Sequence, residues 1–417
     1  MLNQFGPVIK NRNFLLLWSS QVLSLLTINI MNFVLLTRLF EKTGSSLATA
    51  FLWMAYALPA ILFGPLAAAI VDVRDRKEIL IAANLVQSLT IFLFALSHRS
   101  TFFFVYGVVF IYSFLNQFYV PAESASLPSL VSKTLYTQAN SLFFMTQQAS
   151  HMLGFSLGGV LLHFLGFERT LFLCAALVFV AFICVIFLPR IRASREKTNR
   201  PAEGHLNLFQ RIGNGYSFIK ENRRVLAPLL VLLAFQATLA IFIVNIPAVA
   251  HNVLHIAAPL AGPYIIVPAA MGAFLGAAIL PHLMSRRWRK KQVVETGLLL
   301  SAVLILAHVF VVSEIRSVAR IYVGIALNVI LGLSFVAITV PAQTSLQEAT
   351  PKEMRGRVFG NYSFLSNVTA VVPVIFSGTI AHFFGVKPLF TLLAALCLAA
   401  SVYSRKRGDR FISPVRS

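Results

Sequence analysis

Long apolar runs dominate this chain and limit what it can fold into. The first run extends from Phe14 to Leu39, and a comparable one follows at Ser46–Val71. About 20 mostly apolar residues are enough for one membrane-spanning helix. Ten more runs follow: Ile79–Leu96, Phe102–Val120, Ala139–Leu165, Leu171–Leu188, Val225–Val249, Ala257–Met284, Val293–Val312, Ala319–Pro341, Val358–Phe384 and Pro388–Tyr403. We therefore predict an all-α membrane protein with twelve transmembrane helices.

The charge composition agrees with this prediction. Only 12% of the 417 residues are charged, although the formal net charge is +21, whereas a soluble domain is about 25% charged. In a soluble chain such an excess of basic residues would suggest nucleic acid, but membrane proteins concentrate Lys and Arg in cytoplasmic loops. The lipid bilayer, and not nucleic acid, is the expected partner. The three cysteines lie inside apolar runs, and no cofactor or metal site is expected.

The distribution of basic residues predicts the orientation. With twelve spans, one side of the membrane receives 28 of the 35 lysines and arginines and the other side receives seven. Cytoplasmic loops carry the excess of positive charge. Both termini are therefore expected in the cytoplasm, with the chain in the cell (inner) membrane.

A polar stretch at residues 190–224 divides the chain into segments 1–189 and 225–417, and each segment contains six spans. We interpret the stretch as a cytoplasmic linker between two six-helix bundles. Within it, Phe209, Ile212, Tyr216 and Ile219 recur at spacings of three and four residues. This spacing predicts a short amphipathic helix on the inner membrane surface.

The two segments also repeat each other. Phe118–Ala122 matches Ile338–Ala342, and His163–Gly166 matches His382–Gly385, at an offset close to 219 residues. Parallel repeats of six helices are a transporter architecture, with the substrate site at the interface of the repeats. A central cavity between the bundles, opening alternately to each side of the membrane, is the corresponding expectation.

Loop motifs resemble those of the major facilitator superfamily. Asp72, Arg76 and Lys77 match the acidic and basic positions of its loop between the second and third spans, and Arg355–Gly360 matches its stretch before the eleventh. The chain is most similar to the macrolide-efflux and enterobactin-exporter group, and its Pro-Ala motif is also similar to lysophospholipid transporters. The resemblance implies the major facilitator fold and a cytoplasmic gate formed by Asp72, Arg76, Lys77, Arg355 and Arg357. The alternative is a solvated basic loop that only sets topology.

By this resemblance the chain is a monomeric secondary-active or facilitative transporter, and more specifically an exporter. Its cavity would have apolar walls with scattered amides, which suits an amphipathic or lipid-like small molecule; transport of lysophospholipid or another lipid is the alternative. In this fold the first, fourth, seventh and tenth helices line the cavity. The residues predicted to do so are Asn29, Asn32, Asn116, Gln117, Gln236 and Asn328. Hydrogen bonding between helices is the competing role for each of them.

Energy coupling is the feature in which the sequence departs most from the family, because Ile28 occupies the position where the family often has an acid. Glu123, placed just past Pro121 near the inner end of the fourth span, is the best remaining carboxylate, and His151 is the alternative titratable group. We expect either weak proton coupling through Glu123 or none, with transport down the solute gradient. Gly154, Gly158 and Gly159 permit close packing of the fifth span.

An enzyme is the rival class. Asp72 and Asp75 are paired carboxylates beside arginines, faintly similar to the acids that bind Mg²⁺ in membrane prenyltransferases. Such chemistry needs several acids around a diphosphate, and the second half has no matching cluster. We therefore expect a transporter and not an enzyme.

Overall fold

The computed structural model describes residues 6–97, 103–191, 216–286, 289–351 and 354–406. Its long helices, in chain order, are α1 Arg12–Thr43, α2 Ser46–Val73, α3 Arg76–Ser97, α4 Phe103–Leu130, α5 and α6 in the run Tyr136–Ile186, α7 Arg223–Val249, α8 Val267–Arg286, α9 Lys290–Leu306, α10 Ala319–Ala349, α11 Arg355–Phe384 and α12 Val386–Lys406. A short helix covers Gly6–Ile9. Turns of 3₁₀-helix cover Lys133–Leu135, Ala258–Leu260 and Val312–Glu314, and π-helical turns cover Ala250–Leu254, Gly262–Ile266 and Ala307–Val311.

The described part of the chain has eleven helices long and apolar enough to cross a membrane. One of them, Gln138–Ile186, has 49 residues, which makes it about 70 Å long, more than twice the hydrocarbon thickness of a bilayer. Gly166 interrupts this run with φ 79° and ψ 176° and separates α5 from α6. The prediction of twelve transmembrane helices is therefore confirmed.

The break at Gly166 has a counterpart in the second half. Gly385, between α11 and α12, has φ 84° and ψ 174°. Only glycine adopts this backbone region readily. The matched sequences His163–Gly166 and His382–Gly385 therefore make the same turn, and the sequence repeat is also a repeat of backbone conformation.

The chain forms two compact units. The first consists of Met1–Thr43 with Phe51–Glu196, and the second of Gly44–Ala50 with Lys197–Ser417. The first turn of α2 thus belongs to the second unit, where Gly378 of α11 lies against it. A Cβ atom at position 378 would lie 2.5 Å from Cβ of Ala50 and 2.9 Å from the carbonyl oxygen of Ser46, so this approach requires glycine.

Two helices extend past prolines at which the sequence predicted an end. α4 continues through Pro121 to Leu130, and α10 continues through Pro341 to Ala349. A proline removes one backbone hydrogen bond from a helix. Transmembrane helices tolerate this loss because neighbouring groups and small local adjustments satisfy the freed carbonyl.

The predicted linker helix is only partly within the described residues, since Phe209 and Ile212 lie outside them. Residues 216–221 are helical, and Tyr216 is exposed. Ile219 is 2% exposed and packs with Val225, Leu229 and Val358 in the core of the second unit. At Ile219 the apolar face of this helix therefore packs against protein, although the sequence predicted that it would lie on the membrane surface.

Helices α8 and α10 approach each other closely enough to require glycine on both sides. A Cβ atom at Gly332 would lie 1.8 Å from the carbonyl oxygen of Ala269, and one at Gly272 would lie 1.7 Å from that of Val329. Gly272 and Gly276 form a Gly-x-x-x-Gly pair, a spacing that lets transmembrane helices pack with their backbones in contact. The sequence analysis missed this pair.

Candidate functional site

A cluster of buried polar side chains lies in the first unit, where α1, α3 and α4 meet. Helix α1 contributes Ser20, Gln21 and Ser24, α3 contributes Asn84, and α4 contributes Tyr119 and Glu123. All six residues are at most 5% exposed. Ser20 and Ser24 are four residues apart, as are Tyr119 and Glu123, so each pair lies on one face of its helix. We call these six residues the Glu123 cluster.

Hydrogen bonds connect the cluster into a chain that ends at the carboxyl group. Tyr119 donates its hydroxyl proton to Oε1 of Glu123 at 3.1 Å. Because a phenol has one proton, Ser20 is the donor in its 3.0 Å hydrogen bond with Tyr119. Nδ2 of Asn84 donates to Ser20 at 3.1 Å, and Ser24 donates to Oδ1 of Asn84 at 3.2 Å. The donors from Asn84 through Tyr119 therefore all point toward Glu123.

The surroundings of Glu123 act on its charge in opposite directions. The hydroxyl of Tyr119 and the neighbouring amide of Gln21 stabilise an ionised carboxylate. Burial disfavours it, since an unpaired charge away from water costs several kcal/mol, as a rough figure. Among the residues that the structure describes, no lysine, arginine or histidine forms an ion pair with Glu123. The site therefore favours a neutral carboxyl group here and is still equipped to hold the anion.

The position of Glu123 differs from the one inferred from sequence. The sequence analysis placed it near the inner end of its helix, because Pro121 was taken as the end of the span. Since α4 continues to Leu130, Glu123 lies about two turns inside the helix. It is 4% exposed, so it is a residue of the helix bundle and not of the surface.

A second polar contact links α1 and α5. Nδ1 of His151 lies 2.9 Å from Oδ1 of Asn29. The contact depends on glycines in α5: a Cβ at Gly154 would lie 2.4 Å from Cβ of Asn29, and one at Gly158 would lie 3.1 Å from the carbonyl oxygen of Ile30. The third predicted packing glycine, Gly159, is buried.

The other predicted lining residues fall into two groups. Asn32, Asn116 and Gln236 are half-buried and make no hydrogen bond within the part of the chain that the structure describes. Gln117 is also half-buried and donates to the carbonyl of Ser113 at 3.0 Å. Asn328 is 1% exposed and lines a small cavity inside the second unit. The cavity between the two bundles stays a prediction.

Two of the five predicted gate residues contact helix ends within the first unit. Nη1 of Arg76 donates to the carbonyl of Ala125 at 2.7 Å, and Nζ of Lys77 donates to the carbonyl of Leu188 at 2.5 Å. Arg76 thus binds α4 within its last two turns, and Lys77 binds a carbonyl oxygen just past the end of α6. The side chains of Asp72, Arg355 and Arg357 lie outside the described part of the structure. A gating role for the five residues stays a prediction.

The second unit has a corresponding contact. Lys290 opens α9 as Arg76 opens α3, and its Nζ forms an ion pair with Glu348 near the end of α10. In each unit, therefore, a cation at the start of the third helix bonds to a residue near the end of the fourth helix.

Sequence reasoning missed Ser20 and Asn84, the two residues that extend the Glu123 cluster to α1 and α3. Asn84 lies in the middle of an apolar run, at Ile79–Leu96. A polar side chain inside a spanning helix usually faces the protein interior, which is the signal that could have found it.

The family model described as Major Facilitator Superfamily matches residues 17–312 and 282–411. Over 402 residues the chain is 27% identical to the uncharacterized MFS-type transporter YfiS of Bacillus subtilis (strain 168), covering 94% of this chain and 92% of YfiS. It is 23% identical to macrolide efflux protein A of Streptococcus pyogenes, over 93% of this chain and 94% of that protein.

A solved structure shares the fold at low sequence identity. The crystal structure of nucleoside transporter NupG superimposes with a TM-score of 0.71 at 14% identity, covering 94% of this chain and 98% of that one. At this identity the likeness shows the fold alone. The family match, the two relatives and this structure agree with the resemblance that the loop motifs indicated.

Proposed function

The chain belongs to the major facilitator superfamily, and we propose that it exports an amphipathic small molecule across the cell membrane, driven by protons that bind to Glu123. The efflux of a macrolide, in the name of macrolide efflux protein A, supports the direction and the substrate class. The scattered amides of the predicted lining, Asn32, Asn116 and Gln236, support an amphipathic substrate over a strongly charged one.

The observation that carries the coupling proposal is the buried, unpaired state of Glu123. A proton-coupled carrier needs a group that is neutral when sealed from water and ionised when water reaches it. Glu123 is 4% exposed and lacks a cationic partner among the described residues, so a proton removes the charge that burial penalises. The donor chain through Tyr119 stabilises the anion once the proton has left.

This proposal selects one of the two alternatives that the sequence left open. The sequence allowed weak coupling through Glu123 or purely downhill transport. A carboxyl group near the headgroups would favour downhill transport, because its charge state would not depend on the conformation of the carrier. The buried position of Glu123 inside α4 favours coupling.

In the proposed cycle, protonation of Glu123 from the outer side accompanies return of the empty carrier, and deprotonation toward the cytoplasm accompanies loading for export. For this cycle, Glu123 must exchange protons with the outer side in one state of the carrier and with the cytoplasm in the other. Proton flow down its gradient then biases the direction in which the carrier moves solute. With the carboxyl group replaced by an amide, solute movement becomes independent of the pH gradient.

Everted membrane vesicles test the proposal. Their lumen corresponds to the outer side, so an acidic lumen should drive uptake of an amphiphilic cationic dye, a macrolide or a lysolipid. We expect wild type to accumulate at least one probe above its external concentration. Glu123→Gln should only equilibrate that probe, at any pH gradient. Glu295→Gln is the matched control, because Glu295 is also buried but lies 3.7 Å from Lys291; it should keep gradient-driven accumulation.

Two results would overturn the proposal. Accumulation that survives Glu123→Gln would remove Glu123 as the proton site and make His151 the next residue to replace. Movement of small hydrophilic solutes alone, with none of the amphiphilic probes, would overturn the substrate class.

A further inference from the structure

Helices α9 and α12 pack antiparallel, with a side-chain contact at each end of the pair. Lys387, at the start of α12, forms a 3.1 Å ion pair with Glu314, just past the end of α9. At the other end, Ser404 donates to Oε1 of Glu295 at 2.7 Å, and Ser401 donates to the main-chain carbonyl of Glu295 at 3.2 Å. The end of α12 is therefore held against the start of α9.

The two ends of this helix pair differ in charge. The two lysines that open α9 each form an ion pair with an acid, Glu348 or Glu295. Arg405 and Lys406, in the last turn of α12, are exposed and form no ion pair with the described residues. The far end of α12 is neutral, because Lys387 is paired there. Two positive charges at one end of the pair thus lack an acidic partner.

The fold itself does not require these two charges. Cations near the end of a helix complement its dipole, which is the role that they would have without a partner. The counterpart of α12 in the first unit is α6, and α6 ends without a basic residue in its last turn. The charge at the end of α12 is therefore a property of the second unit, available to an anionic partner.

Helix α12 also has one buried face and one exposed apolar face. The buried face includes Leu389, Leu393 and Ser401. The exposed face includes Leu392, Leu396, Val402 and Tyr403, each 45–57% exposed. With 21 residues the helix is about 30 Å long, close to the hydrocarbon thickness of a bilayer. Its basic end therefore lies at the level of the lipid headgroups, where tyrosine is also favoured.

We propose that the end of α12 binds an anionic phospholipid, whose acyl chains lie on the exposed apolar face and whose headgroup phosphate bonds to Arg405 and Lys406. A guanidinium group binds phosphate with two parallel hydrogen bonds. Each cation near the membrane surface adds attraction for anionic lipid. A free phosphate would use the two cations but not the apolar face. The lipid is a bound neighbour and not the transported solute, so the site does not depend on the function proposed above.

Quenching of a tryptophan placed on this face tests the site without a transport assay. Leu396→Trp is reconstituted as the full chain in phosphatidylcholine vesicles that contain a rising fraction of brominated phosphatidylglycerol or brominated phosphatidylcholine. The signal is the quenching in excess of that of the chain without the added tryptophan. Half-maximal quenching should need about tenfold less phosphatidylglycerol than phosphatidylcholine, the effect of two cations near the surface.

Matched variants separate this site from general surface charge. Arg405→Gln combined with Lys406→Gln should remove most of the preference for phosphatidylglycerol. Arg223→Gln combined with Arg224→Gln removes two exposed cations at the start of α7, with the same change in net charge, and should keep the preference. Phe310→Trp, at a 56% exposed position near the neutral end of the helix pair, should be quenched equally by both lipids.

The site is refuted by equal quenching of Leu396→Trp by the two lipids, or by a preference that persists without Arg405 and Lys406. Equal losses in the two double variants would assign the effect to overall charge. Loss of the preference when inorganic phosphate replaces chloride at constant ionic strength would assign the cations to a free anion. Should Leu396→Trp lower the thermal midpoint, Leu392→Trp, on the same face, is the reporter to which these criteria apply.

Discussion

Tyr119 and Glu123 lie one turn apart on α4, and the phenol hydroxyl donates to Oε1 of the carboxyl group at 3.1 Å. Because both residues are on one helix, this hydrogen bond survives any movement of α4 as a rigid body. The hydrogen bond from Ser20 to Tyr119 crosses to α1 and is lost if the two helices separate. The hydrogen bond that Tyr119 itself receives from Ser20 therefore depends on the contact between α1 and α4.

Tyr119→Phe should reduce pH-driven accumulation several-fold in everted vesicles, because the carboxylate loses its direct donor. It should also lower stability by about 0.5–1.5 kcal/mol, the net value of a typical hydrogen bond. In the Glu123→Gln background the same substitution should have no further effect on accumulation, since both changes act on one step.

Tyr112→Phe is the matched control for Tyr119→Phe. Tyr112 is also a fully buried tyrosine of α4, and its hydroxyl lies 3.5 Å from the carbonyl of Ser24, away from Glu123. It should leave the dependence of transport on the pH gradient unchanged. Equal losses for the two variants would show that Tyr119 acts through packing alone.

Gly332→Ala should destabilise the second unit by about 1–3 kcal/mol, the typical effect of overpacking. The new methyl group would lie 1.8 Å from the carbonyl oxygen of Ala269, and a backbone atom cannot rotate away. Gly107→Ala, in α4, adds a methyl with nothing within 4 Å and should be neutral or slightly stabilising. Thermal unfolding in detergent compares the two, and indistinguishable midpoints would contradict the close α8–α10 approach.

Gly166→Ala and Gly385→Ala should each lower stability by about 1–3 kcal/mol, for a different reason from Gly332→Ala. Nothing lies within 4 Å of the added methyl at either site, so the loss comes from forcing alanine into positive φ. The two losses should be similar, because the two backbones have nearly the same angles. A thermal midpoint unchanged in one variant and lowered in the other would show that the two turns are not equivalent.

Reporter fusions test the orientation predicted from charge. Fusions at His205 and Gly408 should report a cytoplasmic location, and a fusion at His255 an external one. The reason is the concentration of basic residues on one side of the membrane, 28 against seven. An external signal at His205 would be incompatible with the orientation of both halves.

Apolar runs and the repeat predicted the twelve helices, because the bilayer fixes the length and polarity of a spanning helix. They did not predict where α4 and α10 end, since Pro121 and Pro341 lie inside helices that neighbouring groups keep intact. That error placed Glu123 near the surface. The type of the residue and its helix were predicted, but its burial followed from the nearly three extra turns of α4.

Other parts of the sites depend on contacts that no local pattern specifies. Asn84 on α3 is linked to Glu123 on α4 through Ser20 on α1 and Tyr119 on α4. Asn328 was predicted to line the central cavity because it lies on the tenth helix. In the structure it donates to the carbonyl of Tyr264 and lines a cavity inside the second unit.

Arg76 and Lys290 make equivalent contacts between helices, but the two contacts differ in how well they tolerate mutation of the partner residue. Arg76 binds the main-chain carbonyl of Ala125, and every residue type supplies a carbonyl, so position 125 is free to vary without loss of the tie. Lys290 binds the side chain of Glu348, so one nucleotide change at that codon is enough to remove the partner. The first half can therefore accumulate neutral substitutions at its contact, while the second half retains its tie only as long as position 348 stays acidic.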